Sequence, residues 1–395
     1  MNMINKLFFK LLSYAKSAYV SFHQKQSLLS TPELKHSSYD VVLYMSGGED
    51  TLYQYDMWGP VIKNLSQNSI NILTVFRGPI DWDTLADYGD CKIFVSDLDG
   101  LLSSYGEYGV KLVLYPNNRM RNFQSLSYNN AHHVFINHGE SEKSSMYSNQ
   151  AKAYDSVFVA GQVALDRYRN HLRNFDEDKF ICVGRPQLDS ISPLDLNVPA
   201  EKKVILYAPT WEGSHSEMSY SSVDSEAVKM IAGLLLREDF FIIYKPHPSL
   251  GISSTAHRDS HGEIVKLMDA SPNGVYLSNN EDILSVFHAV DFAIFDNSSV
   301  IIDYLSFEKA FCITNNFHVD NRATLPPIAR LKGVLVEKDQ IASIPAELDT
   351  RLASFDYQGS KELKVKYLGD LSKGESTTLF IDTVKKHILE VANDE

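Results

Sequence analysis

Two histidines sit where an imidazole could work on a phosphate group. His138 lies in Asn137-His138-Gly139, directly after the apolar run HVFIN (133–137), and the missing Cβ of Gly139 lets backbone or substrate come close. His247 lies in Lys245-Pro246-His247-Pro248, where two prolines restrict the backbone on either side of the ring. Imidazole can donate to a phosphate oxygen or exchange a proton near neutral pH; a purely structural role is the alternative that the residue types leave open. Ser298 and Ser299 follow the run FAIFD (292–296), where a new helix should begin. Free amides and the helix dipole make such a terminus an anion site, while ordinary capping would account for one serine. Thr210 closes another apolar run, VILYAPT (204–210). Gly47 and Gly48 in MSGGED (45–50) offer a weaker acceptor or phosphate path, since the segment has neither the dinucleotide-binding nor the Walker pattern.

Other chemistry-bearing residues carry less. Asp97 and Asp99 have the spacing of a metal-binding acidic pair, and His257, His261 and Glu263 could be drawn as a cluster. Their neighbours predict solvated or flexible loops instead, so no metal is expected. Cys91, Cys182 and Cys312 lack CxxC spacing and read as small buried core residues.

The elements that must position these residues are legible as recurring apolar runs. The first half offers VVLYM (41–45), NILTVF (71–76), KIFVS (92–96), KLVLY (111–115), HVFIN (133–137), SVFVA (156–160) and KFICV (179–183). A proline-bearing stretch at 186–203 reads as a linker. A second series follows: VILYAPT (204–210), FFIIYKP (240–246), GVYLS (274–278), FAIFD (292–296), AFCIT (310–314) and GVLVE (333–337). Such runs, separated by helix-length segments, predict an α/β chain with two doubly wound, Rossmann-like parallel sheets facing a cleft, one domain over 31–190 and another over 204–395. Ligands belong at the carboxyl ends of such strands, where all the residues above fall.

Composition sets limits. The 395 residues are 44% hydrophobic and 22% charged, as expected for globular lobes. A net charge of −13 argues against nonspecific nucleic-acid binding. Residues 1–30 depart from this, with Lys6, Lys10, Lys16 and Lys25 and no acidic residue; removing these four from 37 basic residues leaves 33 against 50 acidic, or −17. On a helix, Ile4, Leu7, Phe8, Leu11, Ala15, Tyr19 and Phe22 form one apolar stripe with Lys6, Lys10 and Lys16 facing away, the pattern of an interfacial helix on an anionic membrane face. Packing on the protein's own surface is the alternative. The segment is too interrupted for a signal peptide or a span.

Taken in order, the segments resemble the CDP-glycerol glycerophosphotransferase family, which builds teichoic-acid-type polymers and related surface polysaccharides. ILYAPTW (205–211), KPHP (245–248), DILSVFHAVDFAIF (282–295) running into DNSSVIIDYL (296–305), and VGRPQLDS (183–190) carry the resemblance. The family's Trp-His-Gly-Thr-Pro-Leu-Lys motif reads here Asn137-His138-Gly139-Glu140-Ser141-Glu142-Lys143; a tyrosine of the serine element is Asn297, and an arginine of the turn is Gln187. The resemblance implies a GT-B fold, with nucleotide in the C-terminal lobe and acceptor on the N-terminal side. An acceptor hydroxyl would attack the β-phosphorus of CDP-glycerol, CDP-ribitol or a similar CDP-polyol, releasing CMP. It further implies His138 as base and His247, Ser298 and Ser299 as ligands for phosphate charge, helped by Thr210 and Lys245; Gly139 and Lys143, with Gly47 and Gly48, fall to the acceptor and phosphate path. No cofactor is implied. The expected acceptor is a saccharide or lipid-linked hydroxyl at the cytoplasmic face of the cell membrane. Alternatives are a GT-B glycosyltransferase using a nucleotide sugar for capsule or lipopolysaccharide, a nucleotide-sugar epimerase, and a non-catalytic carbohydrate-binding relative.

Overall fold

The computed structural model describes residues 35–213, 219–278, 281–316 and 325–394. The basic amphipathic stripe expected over residues 1–30 lies outside the described residues.

The first lobe runs β1 (Val41–Met45), α1 (Leu52–Gln67), β2 (Ile72–Phe76), β3 (Cys91–Phe94), α2 (Leu98–Glu107), β4 (Leu112–Tyr115), α3 (Asn122–Ser125), β5 (His132–Phe135), β6 (Ser156–Val159), α4 (Gln162–His171) and β7 (Phe180–Cys182). All seven strands are parallel, in the order β3-β2-β1-β4-β5-β6-β7. The second lobe runs β8 (Lys203–Ala208), α5 (Ser225–Leu235), β9 (Phe240–Tyr244), α6 (Thr255–Asp269), β10 (Gly274–Tyr276), α7 (Ile283–Val286), β11 (Phe292–Phe295), α8 (Val300–Tyr304), β12 (Ala310–Thr314), β13 (Leu335–Val336), α9 (Ile344–Ala353), α10 (Tyr357–Leu368) and α11 (Glu375–Asp394). Its six strands are also parallel, in the order β10-β9-β8-β11-β12-β13. Central strands such as β1 and β9 are buried along their whole length, which is why they read as unbroken apolar runs rather than alternating ones. Strand order reverses between β1 and β4 and again between β8 and β11, leaving a crevice at each reversal.

The described structure corrects four local expectations. The C-terminal helix α11 leaves the second lobe: Phe380, Ile381 and Val384 pack into the core of the first sheet with Val41, Leu43 and Trp58. An apolar stripe alone does not say which sheet it will cover, and the sequence reading places residues 375–394 with the second lobe. His257, His261 and Glu263 lie on α6, not in a loop, because Ser254 caps that helix and accepts from the His257 amide; the His261 ring pairs with the Tyr244 hydroxyl at 2.9 Å. Asp97 caps α2, accepting from the Gly100 amide at 2.7 Å. Cys91 and Cys312 are buried, but Cys182 is exposed on the edge strand β7.

Candidate active site

His138 follows β5 on a tight turn that Asn137 makes. Asn137 has a φ of 54°, a left-handed conformation asparagine tolerates better than most residues. Its side-chain amide donates to the Gly139 carbonyl at 2.7 Å while its oxygen accepts from the His138 amide at 2.8 Å. The Trp58 indole, from α1, donates to the Asn137 carbonyl at 2.6 Å. Arg185, just after β7, binds the His138 carbonyl at 2.8 Å and reaches across to Asp303 on α8 at 2.8 and 3.3 Å. This ion pair is buried and ties the two lobes together beside the histidine.

The hydrogen bonds of the rings fix their tautomers. Nδ1 of His138 lies 2.9 Å from the Pro116 carbonyl, which can only accept, so Nδ1 carries the proton and Nε2 presents a lone pair. Nδ1 of His247 receives the Ser249 amide at 3.0 Å, so its proton is on Nε2, which presents a donor. One ring can take a proton and the other can give a hydrogen bond. Burial, seconded by Arg185 and Arg119, pulls His138 down to about 4 against the opposing effect of its Pro116 bond. Burial and the neighbouring Lys143, His138 and Lys245 bring His247 down to about 3. Both rings are neutral at pH 7. Tyr53, at the start of α1, sets its ring edge-on to both, at 5.8 Å from His138 and 6.2 Å from His247. The Trp211 ring lies nearly parallel to His247 at 6.0 Å.

Lys143 brings the remaining first-lobe charge to the second lobe. Its ammonium donates to the Thr210 hydroxyl at 3.2 Å and stands 5.4 Å over the Tyr220 ring. Burial lowers it to about 8, countered by Asp296, leaving a cation that can lose its proton just above neutrality. Asp296, at the end of β11, is fully buried, and burial raises it; it accepts from the Thr210 and Ser222 amides and from the Thr314 hydroxyl. Glu212 fixes the loop after β9 by accepting from the Gly251, Ser253 and Ser254 amides. Burial opposes its charge, yet these amides hold it below its usual range.

The structure brings His138, Gly139, Lys143, Thr210, His247, Ser298 and Ser299 together in one interlobe cleft. A Cβ on Gly139 would sit 2.9 Å from that of Ser299, so glycine is required there by the approach of the opposite lobe. Ser298 is only 9% exposed and its hydroxyl has no partner among the described residues. Ser299 is the N-cap residue of α8, but its side chain makes no cap bond and the helix is only five residues long, so the site there rests on hydroxyls and local amides and not on a long helix dipole. Lys245 is turned aside, donating to the Ser278 carbonyl at 2.5 Å. Gly47 and Gly48 meet the loop after β2: the Gly78 amide binds the Gly47 carbonyl at 2.9 Å, and a Cβ on Gly48 would lie 2.3 Å from the Pro79 carbonyl. That close backbone crossing accounts for the glycines. Tyr53, Asn137 and Arg185 were missed from the sequence; asparagine's tolerance of positive φ was the one available signal.

His132, His387 and Glu390 form the single group of three potential metal ligands found among the described residues, with His387 Nδ1 2.9 Å from Glu390. It sits at the opposite, amino-terminal end of β5 and is unrelated to the cleft.

The sequence model of the CDP-glycerol:poly(glycerophosphate) glycerophosphotransferase family matches residues 125–315, which include both histidines, Lys143, Thr210 and the paired serines. Over that stretch, just under half of its length, the chain is similar to the family. A teichoic acid glycerol-phosphate transferase of Staphylococcus aureus is 25% identical over 268 residues, 61% of this chain and 62% of that protein; the chain thus spans less than two thirds of that relative's length. Among solved structures, the wall teichoic acid polymerase TagF is 16% identical with a TM-score of 0.59, covering 99% of each chain. A histidine-to-asparagine variant of TagF soaked with CDPG gives 16%, 0.58 and the same coverage. A UDP-N-acetylglucosamine 2-epimerase-like protein from Listeria monocytogenes is 12% identical with a TM-score of 0.61, over 89% of this chain and 98% of that one. At these identities the structures share the fold, which is GT-B.

Proposed function

We propose that this chain transfers a polyol phosphate, glycerol phosphate or a close relative, from a CDP-activated donor to an acceptor hydroxyl, releasing CMP. The observation that carries the reading is the pairing of opposite tautomers in one cleft, a bare Nε2 on His138 and an Nε2–H on His247, with the Lys143 ammonium between the lobes. In the step, the acceptor oxygen forms a bond to the β-phosphorus, and the bond from that phosphorus to the oxygen bridging to CMP breaks. The acceptor proton passes to His138 Nε2. His247 Nε2–H, the Lys143 charge and the orphan Ser298 hydroxyl would take up charge on the phosphate oxygens. The family match and the CDPG soak of TagF support a CDP-polyol as donor.

The acceptor is a saccharide or lipid-linked hydroxyl, and the basic stripe of residues 1–30 would hold the enzyme to an anionic cytoplasmic membrane face. Among the described residues no helix is long and apolar enough to cross a membrane.

Incubating the protein with CDP-glycerol, CDP-ribitol and UDP- or GDP-sugars, with and without an acceptor, tests the reading through the nucleotide released. Acceptor-dependent CMP supports it. Release of UDP or GDP would establish sugar transfer, and conversion of a nucleotide sugar without acceptor would establish an epimerase.

A further inference from the structure

A run of buried polar side chains crosses the crevice of the first lobe and ends beside the two histidines. Ser46, directly after β1, donates to the Asn117 side-chain oxygen at 2.6 Å. Asn117, just after β4, donates to the Gln54 side-chain oxygen at 2.8 Å, and the Gln54 amide nitrogen donates to the Tyr53 hydroxyl at 3.0 Å. Ser46, Gln54 and Asn117 are buried; Tyr53 is half-buried, its ring edge-on to both His138 and His247. Strand order reverses between β1 and β4, so the run lies where a sheet of this kind takes its ligand.

Every link is donated towards Tyr53, so its phenol oxygen accepts and its hydrogen is left over; among the described residues that hydrogen has no acceptor. Tying β1 to β4 needs only the bond from Ser46 to Asn117, whereas the two further links join no strands and aim one hydroxyl. Hydrogen bonds donated in one sense along a chain polarise its last member and make it the stronger donor. Burial raises Tyr53 above its usual range, so the hydroxyl keeps its hydrogen at neutral pH. The residue before Asn117 is Pro116, whose carbonyl holds the His138 proton on Nδ1. The end of β4 therefore orients two groups at once, the bare Nε2 of His138 and the O–H of Tyr53.

A free donor beside both histidines does not suit the attacking hydroxyl, whose lone pair must go to phosphorus and would be held back by a hydrogen bond. It suits the phosphate oxygens that carry the charge of the transition state. We propose that Tyr53 is a further catalytic residue, its hydroxyl donating a hydrogen bond to a non-bridging oxygen of the transferring phosphate from the first-lobe side, and that Gln54 is the positioning residue that keeps this donor free. The phenol keeps its proton throughout; the bonds made and broken are those of the transfer proposed above, and the catalytic role rests on that reading, though phosphate binding by the hydroxyl does not.

The test compares, in the full chain, Tyr53→Phe, which keeps the ring against both histidines, with Gln54→Glu, whose carboxylate can only accept and so draws the phenolic hydrogen back from the cleft. Each should lower kcat/KM for the CDP-polyol about 10²-fold, the loss that follows removal of one donor to the reacting charge. Inorganic phosphate, followed by phosphorus NMR, gives a readout without turnover, and each variant should bind it about tenfold more weakly than the wild type. Combined, the two substitutions should cost no more than either alone, because each removes the same hydrogen bond; a new carboxylate that merely repelled the donor would multiply the losses. Wild-type turnover or wild-type phosphate affinity in folded Tyr53→Phe, losses that multiply in the double variant, or failure of the wild type to bind phosphate would overturn the proposal. Gln54→Glu alone decides if loss of the hydroxyl unfolds the chain. If phosphate binding depends on Tyr53 while no CDP-polyol yields CMP, the donor site stands and the transferase reading falls; CMP release that Tyr53→Phe leaves unchanged gives the reverse.

Discussion

Lowering the pH from 7 to 5 separates a desolvated base from an ordinary histidine. Held at about 4, His138 would remain about 0.9 neutral at pH 5, whereas a histidine at the usual value near 6.5 would be only about 0.03 neutral. The two cases differ about 30-fold in the active fraction, well beyond assay error. The readout is kcat/KM for the CDP-polyol at acceptor well below saturation, which reports ionisations of the free enzyme. The acid limb should lie near pH 4, and Lys143, at about 8, should supply an alkaline limb as it loses its charge. Stability must be followed in parallel. Both active-site histidines have folded values below the unfolded one, so the unfolded chain binds more protons as pH falls. Their stabilisation is complete above about 6.5 and is lost from there down towards 4 for His138 and 3 for His247. At pH 5 that costs about 2 kcal/mol for each ring, so initial rates belong below the melting temperature measured at the same pH. A drop of tenfold or more centred near pH 6.5, in protein still folded, would refute His138 as the buried base.

Arg185→Met should destabilise the fold by about 3–5 kcal/mol, because Asp303 is left buried without its partner, and should lower kcat by freeing the His138 turn; an unchanged melting temperature would show that the clasp is not load-sharing. Ser298→Ala should weaken donor binding in calorimetry while leaving thermal stability nearly intact, since its hydroxyl makes no hydrogen bond in the free protein; the opposite pattern would make it structural. Deleting residues 2–26 should leave turnover on a soluble acceptor intact and reduce co-sedimentation with anionic vesicles at low salt, and equal co-sedimentation would remove the membrane proposal.

The strands were legible because parallel strands covered on both faces read as continuous apolar runs, and β1, β9 and β11 are apolar throughout while β2 and β8 are so but for Thr74 and the exposed Lys203. His138 and His247 were legible as strand-end polar residues beside glycine or proline, and Ser298 and Ser299 as a pair of hydroxyls just after a strand. What joins them was not. Arg185 and Asp303 are 118 positions apart, and neither has a local pattern that announces the other. Tyr53 sits in an amphipathic helix whose apolar stripe hides a ring that faces the cleft. The destination of α11 depends on which sheet was left uncovered, a property of the assembled lobes and not of residues 375–394. The tautomers, which give the histidines their separate roles, follow from the Pro116 carbonyl and the Ser249 amide, backbone groups whose directions no side-chain identity records.

The same geometry accounts for the altered first histidine motif. Where the family pattern has Thr-Pro-Leu, this chain has Glu140-Ser141-Glu142, two acidic residues that would repel a phosphate if they faced the donor. They face away. Glu140 accepts from the Ala160 amide at 3.2 Å and from Arg167 at 3.2 Å; Glu142 accepts from Arg167 at 3.3 Å and from the Tyr367 hydroxyl of α10 at 2.5 Å. The single Arg167 charge, with the Ala160 amide and the Tyr367 hydroxyl, holds both carboxylates within a buried scaffold behind the turn, and Tyr367 belongs to the second lobe's core. A buried arginine with two carboxylates contributes little net stability against an apolar alternative, but it fixes one geometry, since removing any member strands the others. Here that geometry sets where the turn ends and so where Lys143 emerges towards Thr210. His138, Gly139 and Lys143, the three positions shared with the family pattern, are the ones whose atoms reach the cleft; Glu140 and Glu142 supply the frame that holds them there, Glu142 by way of Tyr367 of the second lobe.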